Sequence, residues 1–180
     1  MKKEERLADV HSKIWFFHDE RKFEKLEKSA IELFLAMNFP EKESAEAGKR
    51  VANAYIFYDK AGMSAAEGHD EKREYFLKKV LKEEIKIRTL LNEDIRAAYC
   101  ENRWWKEFQN RNYLGVFPYI LRQEMIKYRG HNPLIPFLSV YYLIKAGFTG
   151  HNKRNIDVAA QYLEKYWEIT LKHMKDKIQY

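Results

Sequence analysis

The sequence predicts an all-α protein, a single helical domain over residues 1–180 with seven or eight helices in antiparallel hairpins. Three observations predict it. Apolar residues recur at helical spacing along most of the chain, and no useful length alternates with the period of two that a half-buried strand needs. Turn-forming residues are scarce, with 7 Gly and 4 Pro in 180 residues, whereas sandwiches and barrels need many turns. Hydrophobic residues make up 46% and charged residues 33%, which excludes a disordered chain and a multi-span membrane protein.

The elements follow in order. Leu7, Val10, Ile14 and Phe17 form one helical stripe, and Phe23, Leu26, Ala30, Leu33 and Met37 form a second. Asn38-Phe39-Pro40 ends the second, because proline disfavours helix in the residue before it. A third helix is expected over Ala45–Tyr58, ending at Lys60-Ala61-Gly62. A long fourth is expected over Tyr75–Tyr99, with Phe76, Val80, Ile87, Leu91 and Ile95 inward. Arg103–Phe108 reads as a short helix, and Leu114, Phe117, Leu121, Met125 and Tyr128 as another inward stripe. Pro133–Lys145 and Ile156–Ile178 complete the set. The apolar run Leu134–Ile144 is far shorter than the roughly 20 residues that span a bilayer, so it reads as a buried core helix.

Two loops resemble each other. Lys60-Ala61-Gly62-Met63-Ser64 leads to Gly68-His69-Asp70, and Lys145-Ala146-Gly147-Phe148-Thr149 leads to Gly150-His151-Asn152. The expected structure is a repeated helical hairpin, a possible internal duplication. In it Gly62 and Gly147 take the left-handed position after a helix, while Asp70 and Asn152 cap the next helix. His18-Asp19 is read the same way, ahead of the second helix, and Asn132-Pro133 supplies a cap followed by proline at the first helical position.

Charge placement bears on function. The net charge is +6. Between Arg103 and Arg154 there are nine bases (Arg103, Lys106, Arg111, Arg122, Lys127, Arg129, Lys145, Lys153, Arg154) against Glu107 and Glu124, an excess of +7. The remaining 24 bases and 25 acids give −1, so the whole net charge lies in this segment. The same segment carries Trp104, Trp105, Phe108, Tyr113, Phe117 and Tyr119. Cations neutralise phosphates and ring faces stack on bases, which is the chemistry of single-strand binding. The competing reading makes the rings core and the bases their solvated rim. The candidate nucleic-acid-binding residues are Arg103, Trp105, Lys106, Arg111, Arg122, Lys127, Arg129, Lys153 and Arg154.

Catalytic motifs are sparse. His18-Asp19 and His69-Asp70 match the core dipeptide of metal-dependent HD phosphohydrolases, but that site needs a further His and a distant Asp, and capping explains both pairs. No His-Glu-x-x-His, glycine-rich phosphate loop or Gly-x-Ser-x-Gly elbow occurs, so zincin, nucleotide-binding and serine-hydrolase chemistry are not indicated. The one cysteine, Cys100, excludes an intrachain disulfide and a multi-Cys zinc site. Its neighbour Glu101 disfavours a thiolate.

Arg6-Leu7-Ala8-Asp9-Val10-His11 resembles the Arg-x4-His motif of the HEPN ribonucleases, an all-helical family. The resemblance covers six residues and implies RNA cleavage by Arg6 and His11 at a dimer interface. That family carries the motif late in the domain, whereas here it lies in the first helix. On a regular helix two residues five apart are about 140° apart, so shared chemistry requires a distorted helix or a partner chain.

The expected function is non-enzymatic: a helical subunit that binds RNA, single-stranded DNA or a nucleoprotein complex through residues 103–154. A protein–protein scaffold and the ribonuclease are the alternatives. No cofactor, metal or membrane partner is expected. The charged N-terminus lacks the apolar segment of a secretory signal, so the expected location is cytoplasmic.

Overall fold

The computed structural model describes residues 2–152 and 155–173, without the side chains of His151 and Asn152. All regular structure among the described residues is helical: α1 (Lys3–Asp19), α2 (Phe23–Ala36), α3 (Glu41–Ala66), α4 (Asp70–Leu90), α5 (Arg96–Gln109), α6 (Tyr113–Lys127), α7 (Leu134–Gly147) and α8 (Ile156–His173), with a π-helical turn at Phe148–Asn152. The chain divides into two compact units, Met1–Lys49 with Gly130–Tyr180, and Arg50–Arg129.

In the first unit α1 packs on α2 and α8, and α7 packs on α8. The stripe read from the sequence buries Leu7, Val10 and Ile14 of α1 and Leu26 and Ala30 of α2. Leu163 and Trp167 of α8 are also buried. Gly48 lets α3 approach α2: a Cβ there would lie 2.3 Å from Ile31 Cγ1 and 2.8 Å from Ile31 N.

In the second unit α5 packs on α4 and, more extensively, on α6. Ala54, Tyr58 and Val80 form a core cluster, with Phe57 and Trp105 packed against it.

One device closes most of the hairpins. A single residue after the helix takes positive φ: Arg21, Asn38, Gly68, Asn92, Arg111 and Gly130. At the first five, two successive amides bond back to the helix. For Arg111 these are Arg111 N to Phe108 O at 3.0 Å and Asn112 N to Glu107 O at 3.0 Å. This is the Schellman closure, in which orphan carbonyls of the last turn are satisfied.

Several expectations are corrected. The helix expected over Tyr75–Tyr99 is broken at Leu91–Ile95, where Asn92 takes φ 51° and Asp94 Oδ1 accepts from Arg96 N at 2.9 Å. Ile95, expected inward, is exposed at this break, and α5 is a full 14-residue helix rather than a short one. Gly62 and Gly147 are helical; Gly68 and Gly130 are the glycines with positive φ. Helix α3 runs on to Ala66, and the Gly147 loop continues as the π-helical turn, so the two similar segments have different structures. His18-Asp19 closes α1 instead of opening α2. Asp70 is the first residue of α4, whose N-cap is His69 with no side-chain cap bond. For α8 the cap is Asn155, whose Oδ1 accepts from Val158 N at 3.1 Å. Asn132 Oδ1 accepts from Leu134 N at 2.9 Å, and Pro133 stands just before the first residue of α7 rather than at it.

Two stripes are turned outward. On α6 the buried positions are Val116, Ile120 and Glu124; of the expected inward stripe Leu114, Phe117 and Met125 face solvent, Leu121 is half-buried, and Tyr128 just after the helix is buried as expected. On α7 the buried positions are Pro136, Ser139, Val140 and Ala146, whereas Leu134, Phe137, Leu138, Tyr141 and Ile144 are exposed. The run Leu134–Ile144 is therefore core on one face only.

Candidate nucleic-acid interface

Helices α5 and α6 form an antiparallel hairpin whose turn, Asn110-Arg111-Asn112, is held from three sides. The buried Arg73 of α4 donates through Nη2 to Asn110 Oδ1 at 2.6 Å and to Lys106 O at 3.4 Å. Gln109 Nε2 donates to Tyr58 O at 3.1 Å. Asn112 caps α6, its Oδ1 accepting from Gly115 N at 3.2 Å, while its Nδ2 donates to Glu107 Oε2 at 2.7 Å. Along the hairpin Trp104 Nε1 donates to Gln123 Oε1 at 2.9 Å, which fixes the register of the two helices.

The nine candidate residues separate into groups. Arg103, Arg111, Arg122 and Arg129 are exposed. No carboxylate among the described residues lies within ion-pairing distance of any of them. Arg122 is on α6, whereas Arg129, expected on the same helical face, lies in the turn after that helix ends at Lys127.

Lys106 and Lys127 are half-buried and engaged. Lys106 pairs with Glu74 of α4, and Lys127 Nζ lies 3.7 Å from the buried carboxylate of Glu124 and 5.0 Å from the Tyr128 ring. Trp105 is also half-buried, its ring 4.2 Å from that of Tyr58 and 3.9 Å from that of Trp104. Lys153 and Arg154 lie outside the described residues.

The rings that reach solvent are others. Tyr99 on α5, Phe108 near the end of α5, Tyr113 at the start of α6 and Phe117 one turn later are all exposed, Tyr113 by 59%. Phe108 and Tyr113 meet edge to face at 5.7 Å across the turn, beside Arg111. Leu114 is 90% exposed on the same end of α6. Asn112 and Gly115 were the sequence signal for the start of α6: Asn112 caps the helix and Gly115 leaves room for its amide. A Cβ at Gly115 would lie 2.4 Å from Asn112 Nδ2.

Burial pushes the Cys100 thiol above its ordinary value; the nearby charge of Arg122 opposes this and Asp94 adds to it. Cys100 is therefore an inert core thiol rather than a nucleophile. Asp94 is held down to about 2, chiefly by hydrogen bonds from the Arg96 side chain and backbone, with Arg129 contributing. Beneath the surface, Arg88 pairs with Glu93 and with Glu101 at 2.8 Å. Glu84 is buried close by and its Oε2 meets no donor.

Arg6 and His11 do not converge. Helix α1 is regular through both. The Arg6 guanidinium lies 3.5 Å from Glu32 of α2, whereas the His11 ring packs on Trp15 at 4.7 Å and on Trp167 of α8 at 6.0 Å.

No family model, curated protein or solved structure matches this chain.

Proposed function

We propose that this protein is a non-enzymatic nucleic-acid-binding subunit that holds single-stranded RNA or DNA on the outer surface of the α5–α6 hairpin. One observation carries the reading: Arg103, Arg111, Arg122 and Arg129 are exposed with no carboxylate among the described residues within ion-pairing distance, and Tyr99, Phe108, Tyr113 and Phe117 of the same two helices are exposed as well. Guanidinium groups meet phosphates bidentately and remain charged at any working pH. Ring faces stack on unpaired bases with little regard to sequence. Lys106, Lys127 and Trp105 support the hairpin in this account, and do not touch the ligand.

The experiment is fluorescence anisotropy with a labelled oligonucleotide across a salt series. Each phosphate contact on a single strand contributes a slope of about −0.7 in log K against log salt. Arg122→Glu with Arg129→Glu should weaken binding and flatten the slope by about 1.4. A second reading, a protein-interaction scaffold, draws on Leu114 and Met125, whose exposed aliphatic surface nucleic acid does not need. It predicts salt-insensitive capture of a protein and no binding to oligonucleotides.

A further inference from the structure

In the first unit the C-terminal end of α1 borders a small cleft. Trp15, Phe16 and Asp19 of α1 and Glu20 just after it form one wall; Gly150 of the π-helical turn and Ala159 of α8 face them. The cleft has a volume of about 40 Å³. A water needs roughly 10–15 Å³ of such space, so the cleft takes a group of about three or four heavy atoms, too few for a nucleobase.

Charge in the lining has one sign. The Asp19 and Glu20 side chains are 37% and 42% exposed, within reach of a ligand. Both stand at the end of α1, where the helix carbonyls carry the negative end of the dipole. The rings of Trp15 and Phe16 add the π-surface to which a weakly hydrated cation is drawn. Contacts behind the cleft hold these groups in place: Asp19 lies 3.6 Å from His18 Nδ1, and Trp15 packs edge to face on His11 at 4.7 Å. The chain itself sets a cation at the rim. Exposed Lys22 has its Nζ 3.5 Å from Glu20 Oε2 and 6.0 Å from the centre of the Phe16 ring. Gly150 keeps the space open, since a Cβ there would lie 3.4 Å from Ala159 Cβ and 3.8 Å from Trp15 Cε3. The turn that supplies Gly150 is π-helical, a rare conformation that recurs at functional sites.

We propose that this cleft binds a guanidinium group, presented by an arginine of a partner peptide or by a small free guanidine. Guanidinium has four heavy atoms, stacks flat on aromatic rings and directs in-plane N–H donors to carboxylates. A primary ammonium is more strongly hydrated, and a quaternary ammonium has no N–H for Asp19 and Glu20 to accept. This inference does not rest on the nucleic-acid reading, whose ligand is an anion.

The test is isothermal titration calorimetry of the full chain with acetyl-arginine amide, ethylguanidine and acetyl-citrulline amide, the neutral isostere of the first. The arginine amide should bind at least about tenfold more tightly than the citrulline amide, because charge-assisted hydrogen bonds to the carboxylates are lost with the charge. Ethylguanidine that matches the arginine amide assigns the cleft to a free guanidine, and tighter binding of the amide assigns it to a peptide. Asp19→Asn with Glu20→Gln should weaken binding by about tenfold or more. Gly150→Ala alters no charge and narrows the cleft, so it should weaken binding with an unchanged thermal melt. Lys22→Ala removes the competing cation and should tighten binding by about two- to fivefold. These two variants decide the matter even if the carboxylate variant fails to fold. No binding of either guanidinium probe at millimolar concentration overturns the proposal. So does a citrulline amide that binds as tightly as the arginine amide, or wild-type affinity in both Gly150→Ala and Lys22→Ala.

Discussion

Truncating two aromatic residues eight positions apart should give opposite outcomes. Trp105 packs on Tyr58 and Trp104 and lies against the Ala54, Tyr58 and Val80 cluster. Removing a fully buried tryptophan costs about 3–5 kcal/mol. Trp105 is half-buried, so Trp105→Ala should cost about 2–3 kcal/mol by the same reasoning. That lowers the urea midpoint by about 1 M and leaves the affinity of the folded fraction for an oligonucleotide unchanged. Tyr113 is exposed and touches Phe108 by an edge. Tyr113→Ala should move stability by no more than about 0.5 kcal/mol. If the ring stacks on a base, binding should weaken by about 1–3 kcal/mol, about 5- to 150-fold in Kd. Urea melts followed by circular dichroism, paired with anisotropy on the same samples, read both quantities. A Trp105→Ala protein that melts like wild type but loses affinity would refute the assignment of rings to core and surface. An unaltered Kd for Tyr113→Ala would refute the stacking role.

Three further outcomes are expected. Arg111→Gly should raise stability by about 1 kcal/mol, because glycine accepts positive φ without strain, and should weaken oligonucleotide binding; unchanged binding in the stabilised protein removes Arg111 from the interface. Gly48→Ala should destabilise by about 1–3 kcal/mol despite alanine's better helix propensity, since the new Cβ meets the backbone of Ile31; a higher melting temperature would contradict the close approach of α2 and α3. Burial pushes the Glu84 carboxyl well above the usual range, Glu101 adds to this and Arg88 opposes it. The folded state thus holds that proton more tightly than the unfolded one, so stability is present at acid pH and falls as pH rises toward the raised value. Glu84→Gln should therefore stabilise by about 1–3 kcal/mol at pH 8 and by little near pH 4, and equal gains at both would refute this.

The helical class was legible because periodicity and turn scarcity agree over most of the chain. Leu7, Val10, Ile14, Leu26 and Ala30 are buried as their spacing implied. Helix ends were harder to read. Asn92 interrupts an apolar pattern that continues on both sides, so spacing alone joined α4 to α5; asparagine's tolerance of positive φ and the cap at Asp94 were the signals that separate them. Arg21 and Arg111 close hairpins in the same way, and nothing in the residue type announces it.

The inward faces of α6 and α7 were misread for a different reason. Periodicity finds a stripe but does not say which neighbour covers it. On α7 the smaller residues are buried and most of the large ones exposed, whereas on α6 Ile120 and Glu124 take the buried face in place of Leu114, Phe117 and Met125. For the candidate interface, charge excess located the region, and burial then sorted its members. Lys106 and Lys127 found carboxylates at Glu74 and Glu124, and Trp105 found the core. Pairings between residues distant in sequence, such as Lys106 with Glu74, leave no mark in local sequence.

The most direct test of the central claim is the salt dependence of oligonucleotide binding by the wild-type protein. Four arginine–phosphate contacts predict a slope of log K against log salt near −3, falling to about −1.4 in the Arg122→Glu, Arg129→Glu protein. A wild type that binds no RNA or single-stranded DNA at low ionic strength, or binds with a slope that the double substitution leaves unchanged, contradicts the account.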